Sequence, residues 1–245
     1  MAIRVTLSAN AGVSVELGGV RIWIDALHDT PVPGFSTLDG RLLRRLWSEP
    51  AFQAPDAIVY THCHPDHYAA QLTAEACRRW PRARLFLPQR DFPGQTLLSG
   101  REVTAAVGDA ALHFYRLTHD GAAFAGTPHY GLTITCGPCS VLLPGDCAVA
   151  SPELLPVVEG RPFRLALLNF PWATLRRGQA FLREHLHAAH IALYHLPFAA
   201  DDTEGFRAAA ERAARGLSDA GTIHILDDPF QTLYFPDAAQ SDPDS

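Results

Sequence analysis

Thr61-His62-Cys63-His64-Pro65-Asp66-His67-Tyr68 is the stretch whose reading decides the fold. It sets three imidazoles and one carboxylate within six positions, after an apolar run (Ala57, Ile58, Val59, Tyr60) and before Leu72, Ala76 and Trp80 at helical spacing. On extended backbone His62 and His64 lie two apart and point to one side, so both rings can reach one ion. Asp66 and His67 follow a proline and read as the opening of a helix. That turn re-aims the second pair towards a second ion. The bland alternative is a polar loop whose histidines are neighbours by accident, but a strand end followed by a helix is the context a metal site needs.

Two ions need more donors than this loop holds, so His, Asp or Glu at the ends of other apolar strands come next. His119 ends the run 112–118, Asp146 follows 141–143 in Leu-Pro-Gly-Asp, and His195 ends 191–194. Each marks a strand giving way to a loop, where binding sites gather. Asp25 closes the strand 20–25, with His28 just beyond as a rim candidate. His129 opens a strand after Thr127-Pro128, where it either contacts substrate or caps a turn. His113, in mid-strand, reads as packing or support for the site. His185, His187 and His190 read as a solvated helix end, and His224 as a structural residue of an alternating strand.

The chain has 245 residues and 26.7 kDa, with 47% apolar content, enough to bury a large core in one domain. Residues 1–236 read as that domain and 237–245, rich in Asp, Ala, Gln, Ser and Pro, as a frayed tail. A net charge of −6 argues against a sequence-independent grip on phosphate backbones, so the expected partner is a small molecule rather than nucleic acid. The oligomeric state, a homodimer included, is not written in the sequence. All 20 basic residues are arginine, which removes Schiff-base chemistry and a phosphate-loop lysine. No stretch approaches the roughly 20 apolar residues that span a bilayer, and no signal-like segment opens the chain, so a cytoplasmic protein is expected. Five cysteines, with Cys63 and Cys147 beside candidate ligands, do not form a secreted disulfide framework.

Patterning places strands at 4–7, 12–17 and 20–25 as a meander, then a helix through Leu42, Leu43, Leu46 and Trp47. Strands follow at 57–60, 84–87, 111–118, 130–135 and 139–143, with short ones near 107. The last third alternates: strand 163–169, helix 176–188, strand 190–194, helix 204–217, and strands 222–226 and 232–235. Strand blocks with helices in each half suggest an α+β fold of two packed mixed sheets flanked by helices, in four layers.

The series His62-x-His64-x-Asp66-His67, then His119, Asp146 after Gly145, and His195 resembles the ligand series of the metallo-β-lactamase fold superfamily across nearly the whole chain. Asp25 matches that superfamily's early aspartate, which supports the site from behind its ligands. The resemblance implies an αββα sandwich and two Zn²⁺ ions, Mn²⁺ or Fe²⁺ serving as well, with a hydroxide bridging them. His62, His64 and His119 would hold one metal; Asp66, His67 and His195 the other; Asp146 would bridge. True lactamases carry a cysteine where Asp146 stands, so antibiotic hydrolysis is not expected. The chain looks most like the branches of ascorbate-phosphate lactonase and ribonuclease Z. The function so implied is hydrolysis of a small ester, lactone or phosphodiester, with Asp66 moving the proton. The alternatives are an oxidoreductase resembling the mononuclear iron persulfide dioxygenases and an RNA-processing nuclease of the same fold. Cys136-Gly-Pro-Cys139 spells a thiol-disulfide motif, but it lies between two strands, where no helix dipole activates a thiol, and it reads as a hairpin turn.

Overall fold

The computed structural model describes residues 1–237. Two seven-stranded sheets pack face to face. The first holds β1 (Ile3–Leu7), β2 (Val13–Leu17), β3 (Val20–Ile24), β4 (Ala57–Val59), β5 (Arg84–Leu87) and β6 (Thr96–Leu97). The second holds β7 (Glu102–Val107), β8 (Ala110–Arg116), β9 (Tyr130–Cys136), β10 (Cys139–Leu143), β11 (Pro162–Asn169), β12 (His187–Tyr194) and β13 (Thr222–Ile225). β14 (Thr232–Phe235) then returns to pair with β1. Apart from Asp237, the tail expected at 237–245 lies outside the described residues.

Chain connectivity decides which strands run parallel. β1, β2 and β3 follow one another through short turns and pair antiparallel. β3, β4 and β5 pair parallel, because α1 (Gly40–Leu46) and α2 (Ala70–Arg79) occupy the crossovers between them. In the second sheet β10 to β13 are parallel. Their connections carry α3 (Leu155–Val158), α4 (Pro171–Thr174), α5 (Arg176–Glu184) and α6 (Phe206–Arg215).

Strict alternation along the parallel strands shows how the layers are filled. Val141, Leu143, Leu165, Leu167, Ala192 and Tyr194 face the first sheet, and the residues between them, Leu142, Ala166, Leu168, Ile191 and Leu193, face Trp172, Phe181 and Leu182 of the helices. Both faces are buried, so these strands read as unbroken apolar runs instead of alternating ones. Each Val, Leu, Ile or Phe side chain buried in this way contributes about 1.5–3 kcal/mol. Trp23 anchors the opposite layer, fully buried with its ring 4.9 Å from Trp80 and 5.7 Å from Phe52. No helix among the described residues is long and apolar enough to cross a membrane.

Two boundaries differ from the sequence reading, and both touch histidines. Asp66 and His67 do not open a helix; α2 starts at Ala70, and the residues before it form a turn in which the N–H groups of His67 and Tyr68 both donate to the His64 carbonyl at 3.0 Å. The helix expected over 176–188 stops at Glu184, and His187 and His190 belong to β12. Pairing with β11 overrides the helical spacing there. His190 instead faces His224 across β12 and β13, 3.3 Å apart between ring nitrogens. Cys136 and Cys139 are register partners across the β9–β10 turn, both buried, with no helix beginning at either.

Candidate metal centre

All seven expected ligands sit in loops that leave the carboxyl ends of strands, at one edge of the sandwich. β4 runs into the 61–68 loop, β8 into His119, β10 into Asp146 and β12 into His195. Parallel strands present their carboxyl ends together, which is why residues far apart in sequence converge here. The loops are then tied to each other. Tyr130 N–H donates to the Thr61 carbonyl at 2.9 Å, Asp120 N–H to the Asp146 carbonyl at 2.8 Å, and Ala148 N–H to the Thr118 carbonyl at 3.0 Å.

Ligand-type atoms of His62, His64 and His119 lie within 4.8 Å of one another, and so do those of Asp66, His67 and His195. Nε2 of His119 is 3.3 Å from Nε2 of His62, and Nε2 of His67 is 3.1 Å from Nε2 of His195. Asp146 Oδ2 lies 3.2 Å from Nε2 of His67 and 3.3 Å from Nε2 of His195. Asp66 Oδ2 is 3.8 and 3.7 Å from the same two nitrogens. Asp25 also lies within the same reach of His62 and His67, but both of its oxygens are taken. Oδ1 accepts from Thr61 N–H at 2.7 Å, and Oδ2 accepts from the Thr61 hydroxyl at 2.6 Å and faces His67 Nδ1 at 3.0 Å.

These partners fix tautomers. A proton on His67 Nδ1 donates to Asp25, leaving the Nε2 lone pair to point at Asp146 and His195. His119 Nδ1 donates to the Asp120 carbonyl at 2.7 Å, which likewise frees its Nε2. Imidazole lone pairs aimed at one another beside two carboxylates are a poor arrangement unless a cation lies between them. The donor set of imidazole and carboxylate therefore fits divalent transition metals.

The electrostatics of the protein alone point the same way. Burial opposes charge on His67, but the carboxylates of Asp146 and Asp25 outweigh it and hold its pKa well above the usual imidazole value. Burial also opposes charge on Asp146, and His195 with His67 outweighs it, keeping that carboxyl well below its usual range. A proton on His67 thus takes the place of a cation. His62 and His64 are lowered, each chiefly by burial and then by neighbouring imidazoles, so they stand as neutral donors. Asp25 and His195 both take left-handed backbone, at φ 50° and 58°. Such strain costs roughly 1–3 kcal/mol per residue and collects where a side chain must be aimed.

His129 does not reach the mouth of the site. It is fully buried behind His62 and His119, its ring 5.3 and 5.5 Å from theirs, with Nδ1 donating to the Leu117 carbonyl at 3.2 Å. A side chain on Gly145 would come within 2.7 Å of its Nε2, so this glycine lets the Asp146 loop lie against the ring. His113 is bonded to Tyr115 at 2.8 Å and faces Glu102 at 3.4 Å. His28 is fully buried, with Nε2 donating to the Ala9 carbonyl at 3.1 Å.

Several neighbours carry no motif and were not singled out by the sequence. Asn10 Nδ2 donates to Asp66 Oδ2, and Asn169 Nδ2 to Asp146 Oδ1, each at 3.4 Å. Asn169 ends the apolar strand β11, so the strand-end rule that found His119 and His195 reaches it too. Phe124 lies 4.9 Å from His64 while 47% exposed, and Phe35 meets His195 edge-on at 4.7 Å. The two rings flank the opening.

His28 also sets an acid limit on stability. Burial lowers its pKa from 6.5 to about 4, against the hydrogen bond to Ala9. Between those values the unfolded chain binds a proton that the folded chain refuses, so the contribution is intact above 6.5 and lost as pH falls towards 4. At 1.36 kcal/mol per unit this amounts to at most about 3 kcal/mol. In urea unfolding of chelator-treated protein at pH 7.5 and 4.5, His28→Gln should lose less stability on acidification than wild type. Identical losses would remove His28 from the acid response.

No protein-family model matches the sequence, and no curated protein matches it. Solved structures do. Igni18, a metallo hydrolase from the archaeon Ignicoccus hospitalis, has a TM-score of 0.66 at 19% identity, over 96% of this chain and 99% of that one. YhfI from Bacillus subtilis, a metallo-β-lactamase fold protein, gives 0.61 at 14%, over 96% and 99%. CmlA, a diiron β-hydroxylase from Streptomyces venezuelae, gives 0.62 at 16%, over 95% of this chain but 54% of its own. Identities this low speak to architecture, and they agree with the two packed sheets and the helices that cover them: the chain has the metallo-β-lactamase fold.

Proposed function

We propose that residues 1–236 form one metal-dependent hydrolase domain that cleaves a small ester, lactone or phosphodiester. One observation carries the reading: two triads of ligand-type side chains, with Asp146 against both His67 and His195, converge at strand ends on an opening that leaves His64, Asp66 and Asp146 partly exposed. His62, His64 and His119 would hold one divalent cation, Asp66, His67 and His195 a second, with Asp146 shared. Bound there, such cations supply Lewis acidity and bring the pKa of a coordinated water towards 7.

The chain's own residues do the rest. Asp25 keeps the His67 proton on Nδ1, and the Asp120 carbonyl does the same for His119, so both rings offer Nε2 without rotating. Asp66, its side chain 14% exposed, would take the proton of the attacking water on the carboxylate oxygen that a cation leaves free and return it to the leaving group. Phe124 and Phe35 narrow the approach and shed water from it. The net charge of −6 favours a small substrate over an RNA. Five free cysteines fit a reducing compartment, and we place the protein in the cytoplasm.

The test is metal content joined to turnover. Protein purified without chelator should carry about two transition-metal ions per chain by elemental analysis, and metal-replete protein should hydrolyse members of a lactone, aryl ester and cyclic phosphodiester panel. A single iron with no hydrolysis would replace this reading with the oxidative one. Cleavage of a precursor RNA that is efficient and steeply salt-dependent would replace it with the nuclease reading.

A further inference from the structure

Two cavities, of ≈ 390 and ≈ 510 Å³, share Arg101, Arg116 and Glu153 as lining residues. The smaller one reaches the metal-centre loops through Thr118, next to His119, and Thr127, whose hydroxyl lies 3.3 Å from Nε2 of His64. The larger one ends against Tyr115 and Arg161. Together they make a groove that leads away from the centre.

Backbone structure sets the arginines in place. Arg101 precedes β7 and Arg116 closes β8, with the Arg116 N–H donating to the Arg101 carbonyl at 2.9 Å. Arg161 precedes β11, and its Nη1 donates to the Tyr115 hydroxyl at 3.4 Å. Among the described residues none of the three guanidinium groups makes an ion pair, whereas Arg21, Arg79, Arg183 and Arg207 each do. Two acids also line the groove: Glu153 accepts from the Thr118 N–H at 2.6 Å and the Thr118 hydroxyl at 3.0 Å, and Glu102 faces His113 at 3.4 Å. In a chain of net charge −6, three guanidinium groups that outnumber the two carboxylates of one groove, and are ion-paired to neither, form a local anion receptor. Their forked donors match the oxygens of phosphate and carboxylate.

We infer that this groove binds an oxyanion, phosphate or carboxylate, carried by the substrate at the end remote from the bond cleaved at the His and Asp loops. The inference rests on the hydrolase reading and names the substrate class for it. Substrates are then small, extended and anionic at one end, with the reacting ester or lactone near Thr127 and the charge among Arg101, Arg116 and Arg161.

Two measurements on metal-replete protein test it. In isothermal titration with inorganic phosphate, the triple variant Arg101→Gln/Arg116→Gln/Arg161→Gln should bind at least tenfold more weakly than wild type. All three side chains are exposed, so the fold should hold, and Arg78→Gln on α2 serves as the remote control. Equal phosphate affinity in wild type and triple variant overturns the inference. In the second measurement, chromogenic esters of equal length end in phosphate, carboxylate or neutral carboxamide. The charged esters should exceed the neutral one at least tenfold in kcat/KM, mainly through KM, and that ratio should fall to about one in the triple variant; the better of the two identifies the oxyanion. A wild type indifferent to tail charge overturns the inference as well. If no ester is turned over, the hydrolase reading fails, and the titration still decides whether the groove is an anion site.

Discussion

Asp66→Ala should lower kcat/KM by about 10³-fold or more, since it removes the proposed ligand oxygen and proton carrier in one step. The fold should survive. Asp66 lies in a turn before α2, packs into neither apolar layer, and its carboxylate accepts one long hydrogen bond, from Asn10 at 3.4 Å. Far-ultraviolet circular dichroism and the thermal midpoint should therefore stay near wild type while activity and metal content fall. Asp66→Asn separates charge from shape: the amide can still face Asn10 but can neither carry a proton nor balance a cation. Both variants should be close to inactive. Wild-type turnover in the alanine variant would sink the site as drawn.

How much of this was legible beforehand depended on whether a residue's role was local. His62, His64, Asp66 and His67 announce themselves because a strand end and a turn compress four donors into one loop. His119, Asp146 and His195 were reachable because a polar residue ending an apolar run breaks the pattern that burial imposes. Sheet order was not legible, since β14 pairs with β1 across a sequence separation of 226 residues at Thr6 and Thr232. The helix drawn to 188 failed for a related reason. The segment after Glu184 has no breaker of its own and becomes strand only because β11 offers parallel partners along its length. Asn10 and Asn169 carry little signal in the sequence because asparagine is common in turns and at strand ends, and only the folded chain shows which ones meet a carboxylate. The arginine groove lay hidden for the same cause, its members coming from three separate strand junctions.

Asp25 offers the second large effect, and one that reaches the proposed metal site without supplying a ligand to it. Its carboxylate is fully buried and accepts from the Thr61 N–H, the Thr61 hydroxyl and His67 Nδ1, so one side chain sets both the start of the ligand loop and the tautomer of a ligand in it. With Asp25→Asn the amide oxygen can keep one Thr61 bond, but the NH₂ group then opposes the proton on His67 Nδ1. His67 must move that proton to Nε2 or rotate, and either change takes its lone pair from Asp146 and His195. Metal affinity should fall by about 10–100-fold, the range found when an outer partner of a ligating histidine is lost. Asp25→Ala leaves buried donors unsatisfied besides, at roughly 1–3 kcal/mol for each, and should also lower the thermal midpoint. Competition against a chelator of known affinity reads the first effect, and unfolding in excess chelator reads the second. Excess metal should restore much of the asparagine variant's activity, since its ligands are all present, whereas Asp66→Ala should stay inactive at any metal concentration. An asparagine variant that holds metal as tightly as wild type would show that His67 needs no partner to aim it.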